Sequence, residues 1–399
     1  MKKNKITRLI MLNQAAGPLF RELGEDLAKH YEDGCILMTG HLDTLRKKSP
    51  RESKLRIEKG PTYDRRSMIS RLVSWLLYIL SSTRYVLKAK SSDAILIVSN
   101  PPILSIWVWI LTRIKKRPYA VIVYDIHPEV LIKLKILKRK SILSKIWNFT
   151  NKLSYRDASS VFTLGKRMAC FIESNYSLPN NSVKIIPPWV DINTIKPINR
   201  EKNLIAKRYN IESEKIVVLY SGNMGKSHDI ESMLEAARVL EGSTEIVFVF
   251  IGEGEKFNFI KAYLKKYKLT NTLLLPFQPE SMIRYSLPLA DISLVSLDQG
   301  MENLMVPSKS FYYLASGSAL IAIANEESEL SDLLNQSCCG KLISPGNSEL
   351  LAKTISEWVK NPKKLESMKK NSRFLAEKRY AREKCTYKFV QNLKEVKLL

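Results

Sequence analysis

Residues 215–234 read "KIVVLYSGNMGKSHDIESML". Lys215–Tyr220 is a short, apolar, β-branched run, the pattern of a buried strand. Ser221–Lys226 breaks that pattern with two glycines and an Asn, and a helical pattern begins beyond it. Strand, small-residue turn and helix form the unit from which parallel α/β sheets are built. The turn is either an ordinary connection or a seat for a phosphate. Small residues let backbone N–H groups approach an anion, a helix N-terminus favours negative charge, and Lys226 adds a full charge. The stretch is not G-x-x-x-x-G-K-[ST], which excludes a P-loop nucleotide triphosphatase.

The same alternation recurs on both sides. Strands are expected over Lys5–Leu12, Cys35–Thr39, Ala94–Val98, Tyr119–Tyr124, Ser159–Thr163 and Val183–Ile186, with helices near Phe20–His30 and from Pro102. "PPWVDINTIKPINREKNL" (Pro187–Leu204) is Pro-rich and polar and reads as a hinge linker. Strands over Lys215–Tyr220, Glu245–Ile251, Thr272–Leu275, Asp291–Leu297 and Ala319–Ala324 follow, separated by helical patterns, and a last helix covers about Arg382–Val396. The class is α/β, in two consecutive units, which suits 399 residues better than a single core.

Charge separates the halves. Residues 1–200 carry 36 basic and 15 acidic side chains, and residues 201–399 carry 28 and 24. Such an asymmetry points to a polyanionic partner for the first half: anionic lipid, a diphosphate-bearing substrate or nucleic acid. Thr44–Lys90 alone holds 13 basic and 3 acidic residues. Within it, Arg65–Ser82 places Met68, Leu72, Trp75, Leu76 and Ile79 at helical spacing. This is either a core-facing helix or an amphipathic helix lying in a membrane interface. Leu131–Trp147, with five Lys/Arg between Lys133 and Lys140, has the same character. Nucleic acid is the weaker expectation, because no RNP-like, KH-like or Cys/His module occurs. Ala94–Thr112 is the most apolar stretch, but Asn100-Pro101-Pro102 divides it into a strand and a helix, each too short to span a bilayer. No secretory signal is expected before Met11. Five cysteines without a CxxC read as reduced thiols of a cytosolic protein, and four histidines without HExxH give no reason to expect a zinc site.

In parallel α/β sheets, ligands sit outside the carboxyl ends of strands. That rule selects "IGEGEK" (Ile251–Lys256), "LPFQP" (Leu275–Pro279) and "LDQGMENLMVPSKSFYYLASG" (Leu297–Gly317) in the second unit. Pro307 is placed at N1 of the last helix, with Ser308 and Lys309 in its first turn. A Lys there opposes the helix dipole, which makes sense beside an anion, although a solvated charge is the alternative. In the first unit the rule selects Gly17 and "VIVYDIHPE". There Asp125 is either an N-cap or turn residue or a catalytic or acceptor-contacting one, with His127 and Glu129 beyond it.

Together these stretches resemble the retaining glycosyltransferases of family 4, particularly the branch that builds bacterial capsule, colanic-acid-type and O-antigen repeat units. The likeness runs in order through "AAGPLFRELGEDLAKHY", "SNPPIL", "VYDIHPE", "NKLSYRDASSVFTLGKRM", "IPPWVDINTIKP", "YSGNMGKSHD", "VFIGEGEK", "LADISLVSL" and "VPSKSFYYLASG". The resemblance implies a GT-B fold, two Rossmann-like domains with parallel sheets facing across a cleft. An acceptor domain would cover 1–190, a nucleotide-sugar domain 191–380, and a helix over 381–399 would cross back. It places Gly222, Asn223 and Lys226 near the donor diphosphate with Lys309 as a second cation. Gly252 and Gly254 would line the donor pocket, and Pro276, Phe277 and Gln278 would border the base. Asp125 would match the Asp of a His-Asp element whose His position is here Tyr124, and Gly17 would lie near the transferred sugar. The family's Glu-x7-Glu falls on Leu304 and Tyr312, with Glu302 nearby but out of register. Glu302, Ser308 and Tyr312 complete the expected donor set.

The function implied is transfer of a sugar, with retention, from a nucleoside-diphosphate sugar to a lipid-linked saccharide at the inner face of the cell membrane. No metal or other cofactor is expected: Lys226, Lys309 and backbone N–H groups would carry the leaving-group charge. Asp125 would orient or deprotonate the acceptor hydroxyl. The alternatives are a GT-B-fold sugar-nucleotide epimerase, or a catalytically weak basic protein that binds membrane or nucleic acid.

Overall fold

The computed structural model describes residues 5–46, 53–64, 66–226, 228–297 and 299–399; residues 47–52 and 65 of the basic Thr44–Lys90 segment lie outside the described residues. The chain divides into two units, Met1–Pro187 with Cys385–Leu399, and Pro188–Lys384. Among the described residues, no helix is long and apolar enough to cross a membrane.

The first unit is built on β1 (Arg8–Leu12), β2 (Cys35–Thr39), β3 (Leu55–Lys59), β4 (Asp93–Val98), β5 (Tyr119–Val123), β6 (Ser160–Thr163) and β7 (Val183–Ile185). They form one parallel sheet in the order β3-β2-β1-β4-β5-β6-β7. β4, β5 and β6 are buried throughout, as strands covered by helices on both faces must be. β3 was not among the expected strands. Its sequence, LRIEK, alternates apolar with charged residues at the sheet edge, where only one side pairs. The helix expected from Pro102 begins at Leu104. The carboxyl-terminal residues complete this unit's core: Phe389 stacks on Phe162 with ring centroids 4.2 Å apart, and Tyr31 donates its hydroxyl to the Leu398 carbonyl at 2.8 Å.

The helix Met68–Lys88 has an orientation that periodicity alone does not determine. Ser74, Tyr78, Ile79, Ser82 and Val86 face inward, while Met68, Leu72 and Leu76 face outward. The core-facing reading of that stripe is therefore corrected: of its members only Ile79 is buried. Ser74 and Ser82 are accommodated inside because each hydroxyl donates to a carbonyl of its own helix, Arg71 and Ile79, and Tyr78 donates to the Met38 carbonyl.

The second unit carries β8 (Ile216–Ser221), β9 (Ile246–Ile251), β10 (Thr272–Leu275), β11 (Ile292–Ser296), β12 (Ala319–Ile323) and β13 (Gly340–Ile343). Again all pairs are parallel, in the order β10-β9-β8-β11-β12-β13. β13, a four-residue strand absent from the sequence reading, closes one edge. Strand order reverses between β8 and β11. The crevice at their carboxyl ends is where such sheets bind ligands, and it lies between the Ser221–Lys226 turn and the loop that leads to Lys309.

Candidate active site

β8 delivers Tyr220 and Ser221 to the mouth of that crevice. The Tyr220 hydroxyl donates to the Asn223 carbonyl at 2.8 Å and so ties the turn to its own strand. From the other side comes the helix Lys309–Ser316, whose Tyr313 hydroxyl accepts from the Ser221 N–H at 2.8 Å and donates to the Ser221 carbonyl at 2.9 Å. Tyr313 is fully buried, and that burial raises its phenol well above the usual tyrosine range, so both hydrogen-bond roles persist at neutral pH.

Lys309 is the first residue of this helix. Ser308 is the N-cap, and Pro307 precedes the cap instead of occupying N1. The Lys309 ammonium lies 4.2 Å from the centre of the Tyr220 ring and donates to the Tyr220 hydroxyl at 3.1 Å. It stands about as close to Gly222, since a Cβ built on that glycine would be 3.2 Å from the Nζ. The cation opposes its helix dipole and is offset by the aromatic face.

The turn itself differs from a phosphate cradle. The N–H of Gly222 donates to the Ile251 carbonyl at 2.9 Å and that of Met224 to the Glu253 carbonyl at 2.7 Å. The next helix, Ile230–Val239, has its amino end filled by the Asp229 carboxylate, which accepts from the Ser232 N–H at 3.0 Å and the Gly346 N–H at 2.7 Å. The sequence reading relied on backbone N–H groups of this turn and on the helix terminus; the Gly222 and Met224 amides and that terminus are committed within the protein. The positive charge at the crevice comes from Lys309, with Lys226 exposed further along the turn.

Gly252 and Gly254 serve backbone packing. Gly252 has φ +149°, and a Cβ there would lie 1.9 Å from the Gly222 carbonyl oxygen; Gly254 has φ +142°, and its Cβ would lie 2.6 Å from that of Met224. Only glycine lets the β9 loop run against the β8 turn so closely.

A cavity of about 220 Å³ opens beside Gly222. It brings together six of the expected residues: Gly222, Phe277, Gln278, Ser308, Lys309 and Tyr312. Phe277 is 62% exposed, an aromatic face at the rim, whereas Gln278 is buried and donates to the Pro276 carbonyl at 2.8 Å. Asn223 is exposed on the turn, and Pro276 is exposed beside the cavity without lining it. Leu304, at one Glu-x7-Glu position, is a core residue, while Tyr312 at the other faces the cavity. Glu302 is not part of the lining: its carboxylate accepts from the Gly300 N–H at 2.9 Å and from Asn325 at 2.5 Å, which braces its own loop. Sequence reasoning missed Tyr220 and Tyr313. The available signal was a tyrosine ending an otherwise aliphatic strand.

In the first unit Asp125 follows β5, as expected. Its N–H and that of Tyr124 both donate to the Ser99 hydroxyl, at 3.2 and 3.0 Å, which joins this loop to the one after β4. Burial pushes the Asp125 carboxyl above the ordinary carboxylate range. His127 is lowered to about 4 by burial and stacks on Trp147 with ring centroids 6.3 Å apart, so it is neutral. Glu129, fully buried, is paired with Arg139 at 2.6 Å and is structural. Gly17 caps the helix Pro18–Ala28 at φ −73°, and a Cβ there would meet nothing within 4 Å. Among the described residues no group of three or more His, Cys, Asp or Glu is arranged to hold a metal ion.

Residues 201–374 match the family described as "Glycosyl transferases group 1". The chain is 24% identical over 302 residues to the probable glycosyltransferase WbjE of Pseudomonas aeruginosa, covering 75% of this chain and 74% of that one. It is 25% identical over 153 residues to the putative colanic acid biosynthesis glycosyl transferase WcaI of Escherichia coli, covering 38% and 37% of the two chains. Among solved structures it superposes on Anabaena HepE, crystallised in complex with UDP and glucose. The TM-score is 0.72 at 15% identity, with 98% of this chain and 100% of that one covered.

Proposed function

We propose that this chain, whose residues 201–374 match the group 1 glycosyl transferases and whose fold is GT-B, moves a sugar, with retention and without a metal, from a nucleoside-diphosphate sugar to a lipid-linked saccharide. The pathway would be surface polysaccharide biosynthesis, at the cytoplasmic face of the membrane. The observation that carries this reading is the Lys309 ammonium, held against the Tyr220 ring beside Gly222 at the carboxyl end of β8. Departure of a nucleoside diphosphate leaves negative charge on the phosphate oxygens. A fixed cation in a partly enclosed cavity stabilises that charge more than it stabilises the intact donor. Lys226, on the exposed turn, supplies a second cation. Phe277 offers a stacking face for the base, and Tyr312 offers a hydroxyl where a family carboxylate is absent.

Asp125 addresses the acceptor hydroxyl. Its raised carboxyl is a stronger base than a solvated aspartate, which suits acceptance of a hydroxyl proton. The name of WcaI supports the polysaccharide setting and that of WbjE supports glycosyl transfer, and HepE, bound to UDP and glucose, supports a nucleotide-sugar donor. The test is a product assay in which radiolabelled UDP- and GDP-sugars are offered with and without a membrane lipid extract. Label in the organic phase that requires both the extract and Lys309 supports transfer. Interconversion of the sugar nucleotide without extract would show an epimerase instead.

A further inference from the structure

We propose that three neighbouring helices of the first unit form a bilayer-docking surface that lies in the plane of an anionic membrane. They are Met68–Lys88, Leu104–Lys115 and Ile142–Asp157, and the middle helix packs against both others. The layer is inside out. Its polar side chains meet one another within it: Trp107 donates to the Thr83 hydroxyl at 2.8 Å, Trp109 to Asp157 at 2.9 Å, and the Ser154 hydroxyl to the Ser105 carbonyl at 3.1 Å.

The aliphatic side chains face out. On the first helix Ile69, Leu72, Val73, Leu76, Leu77 and Leu80 repeat at i, i+3, i+4, i+7, i+8 and i+11, and all are exposed, from 49 to 76%. On the third helix Ile142, Leu143, Ile146 and Phe149, at i, i+1, i+4 and i+7, are likewise exposed, from 56 to 76%. A water-facing helix layer has the reverse pattern, and a contiguous apolar face of this kind calls for a cover.

Charge selects the occupant. Residues 66–157 carry 17 basic and 4 acidic side chains. Three of those four acids are already engaged, Asp93 with Arg8, Glu129 with Arg139 and Asp157 with Arg113. A second copy of the same face would set cations against cations. Nucleic acid would neutralise the cations and leave the leucines in water. An anionic bilayer satisfies both, with aliphatic side chains below the headgroups and Arg71, Arg84, Lys88 and the Lys133–Lys140 loop beside them. The proposal gives a place on the chain to the membrane location suggested above and rests on that reading for location only. Its test uses no sugar donor, so the two fail separately.

The experiment is flotation of the full chain with vesicles of phosphatidylglycerol and phosphatidylcholine, against phosphatidylcholine alone, at low and high salt. The wild type is expected to float with the anionic vesicles, with its tryptophan emission quenched by brominated acyl chains. Leu72→Glu/Leu76→Glu and Ile142→Glu/Ile146→Glu should each lower partitioning at least about tenfold at unchanged melting temperature. Leu72→Ser/Leu76→Ser is the milder variant should the charged one misfold, and it should lower partitioning less. Lys133→Gln/Lys135→Gln/Lys138→Gln should weaken binding to anionic vesicles and reduce its salt dependence. Wild-type flotation of both apolar variants would overturn the proposal. So would a dimer in sedimentation velocity that Leu72→Glu/Leu76→Glu dissociates, or binding to RNA that those leucine changes leave intact while flotation is absent.

Discussion

Replacing Gly252 by Ala tests whether the two loops at the β8 and β9 ends act as one support for the candidate site. The new Cβ would lie 1.9 Å from the Gly222 carbonyl oxygen and 2.9 Å from its carbon. The oxygen must therefore retreat by roughly 1 Å or more before ordinary contact is restored. The backbone at φ +149° is itself nearly closed to residues with a side chain, at a cost of about 1–3 kcal/mol. Together these suggest a loss of about 3 kcal/mol, or roughly 6–12 °C in melting temperature for a unit of this size. The same shift moves Gly222 relative to the Lys309 ammonium, and a misplacement of about 1 Å commonly costs on the order of 100-fold in rate. Thermal denaturation and the transfer assay should thus fall together. Gly17→Ala is the control, because φ is −73° and no atom lies within 4 Å of the added methyl; its melting temperature should match the wild type. A Gly252→Ala protein with wild-type melting and turnover would show that the loops are not coupled and refute the reasoning.

Lys309→Met keeps the length of the side chain and removes its charge; transfer should drop by about 100-fold or more with little change in melting temperature, and near-normal turnover would remove Lys309 from the mechanism. Tyr220→Phe leaves the aromatic face under Lys309 but removes the hydroxyl that holds the Asn223 carbonyl. A loss of about 1 kcal/mol in stability is expected, with a smaller activity loss than for Lys309→Met. His127 is buried with its pKa lowered to about 4. Below the unfolded value of about 6.5 the unfolded chain takes up a proton that the folded chain refuses, so stability is lost as pH falls through 6.5 toward 4. Asp125, raised by burial, works in the opposite direction. The comparison is therefore between wild type and His127→Gln, which should show a shallower acid dependence in denaturant titrations; parallel curves would place the effect elsewhere.

The alternation of strands and helices was legible because fully buried parallel strands are nearly uninterrupted aliphatic runs, as in Asp93–Val98 and Ala319–Ile323. Leu55–Lys59 escaped because an edge strand is allowed charges, and Gly340–Ile343 because four residues carry little pattern. The spacing within Met68–Lys88 marked a helix but not its inward side. That side is chosen by three hydroxyls whose partners, among them the Met38 carbonyl, are tertiary or depend on the helix already being formed. In the candidate site, the cationic residue after Pro307-Ser308 was readable from its opposition to the helix dipole. The commitment of the Gly222 and Met224 amides to the β9 loop was not, since those bonds join segments nearly thirty residues apart.

The contact of Phe389 with Phe162, and of the Leu398 carbonyl with Tyr31, sets an order of events during synthesis. Residues 188–384 contain everything their own unit requires and are free to fold as they emerge from the ribosome. The first unit takes its final core residues from 385–399, which are made after residues 188–384, so it finishes second. Until then Phe162 lacks its stacking partner, and a nascent chain stalled before Cys385 carries an incomplete amino-terminal unit beside a finished one.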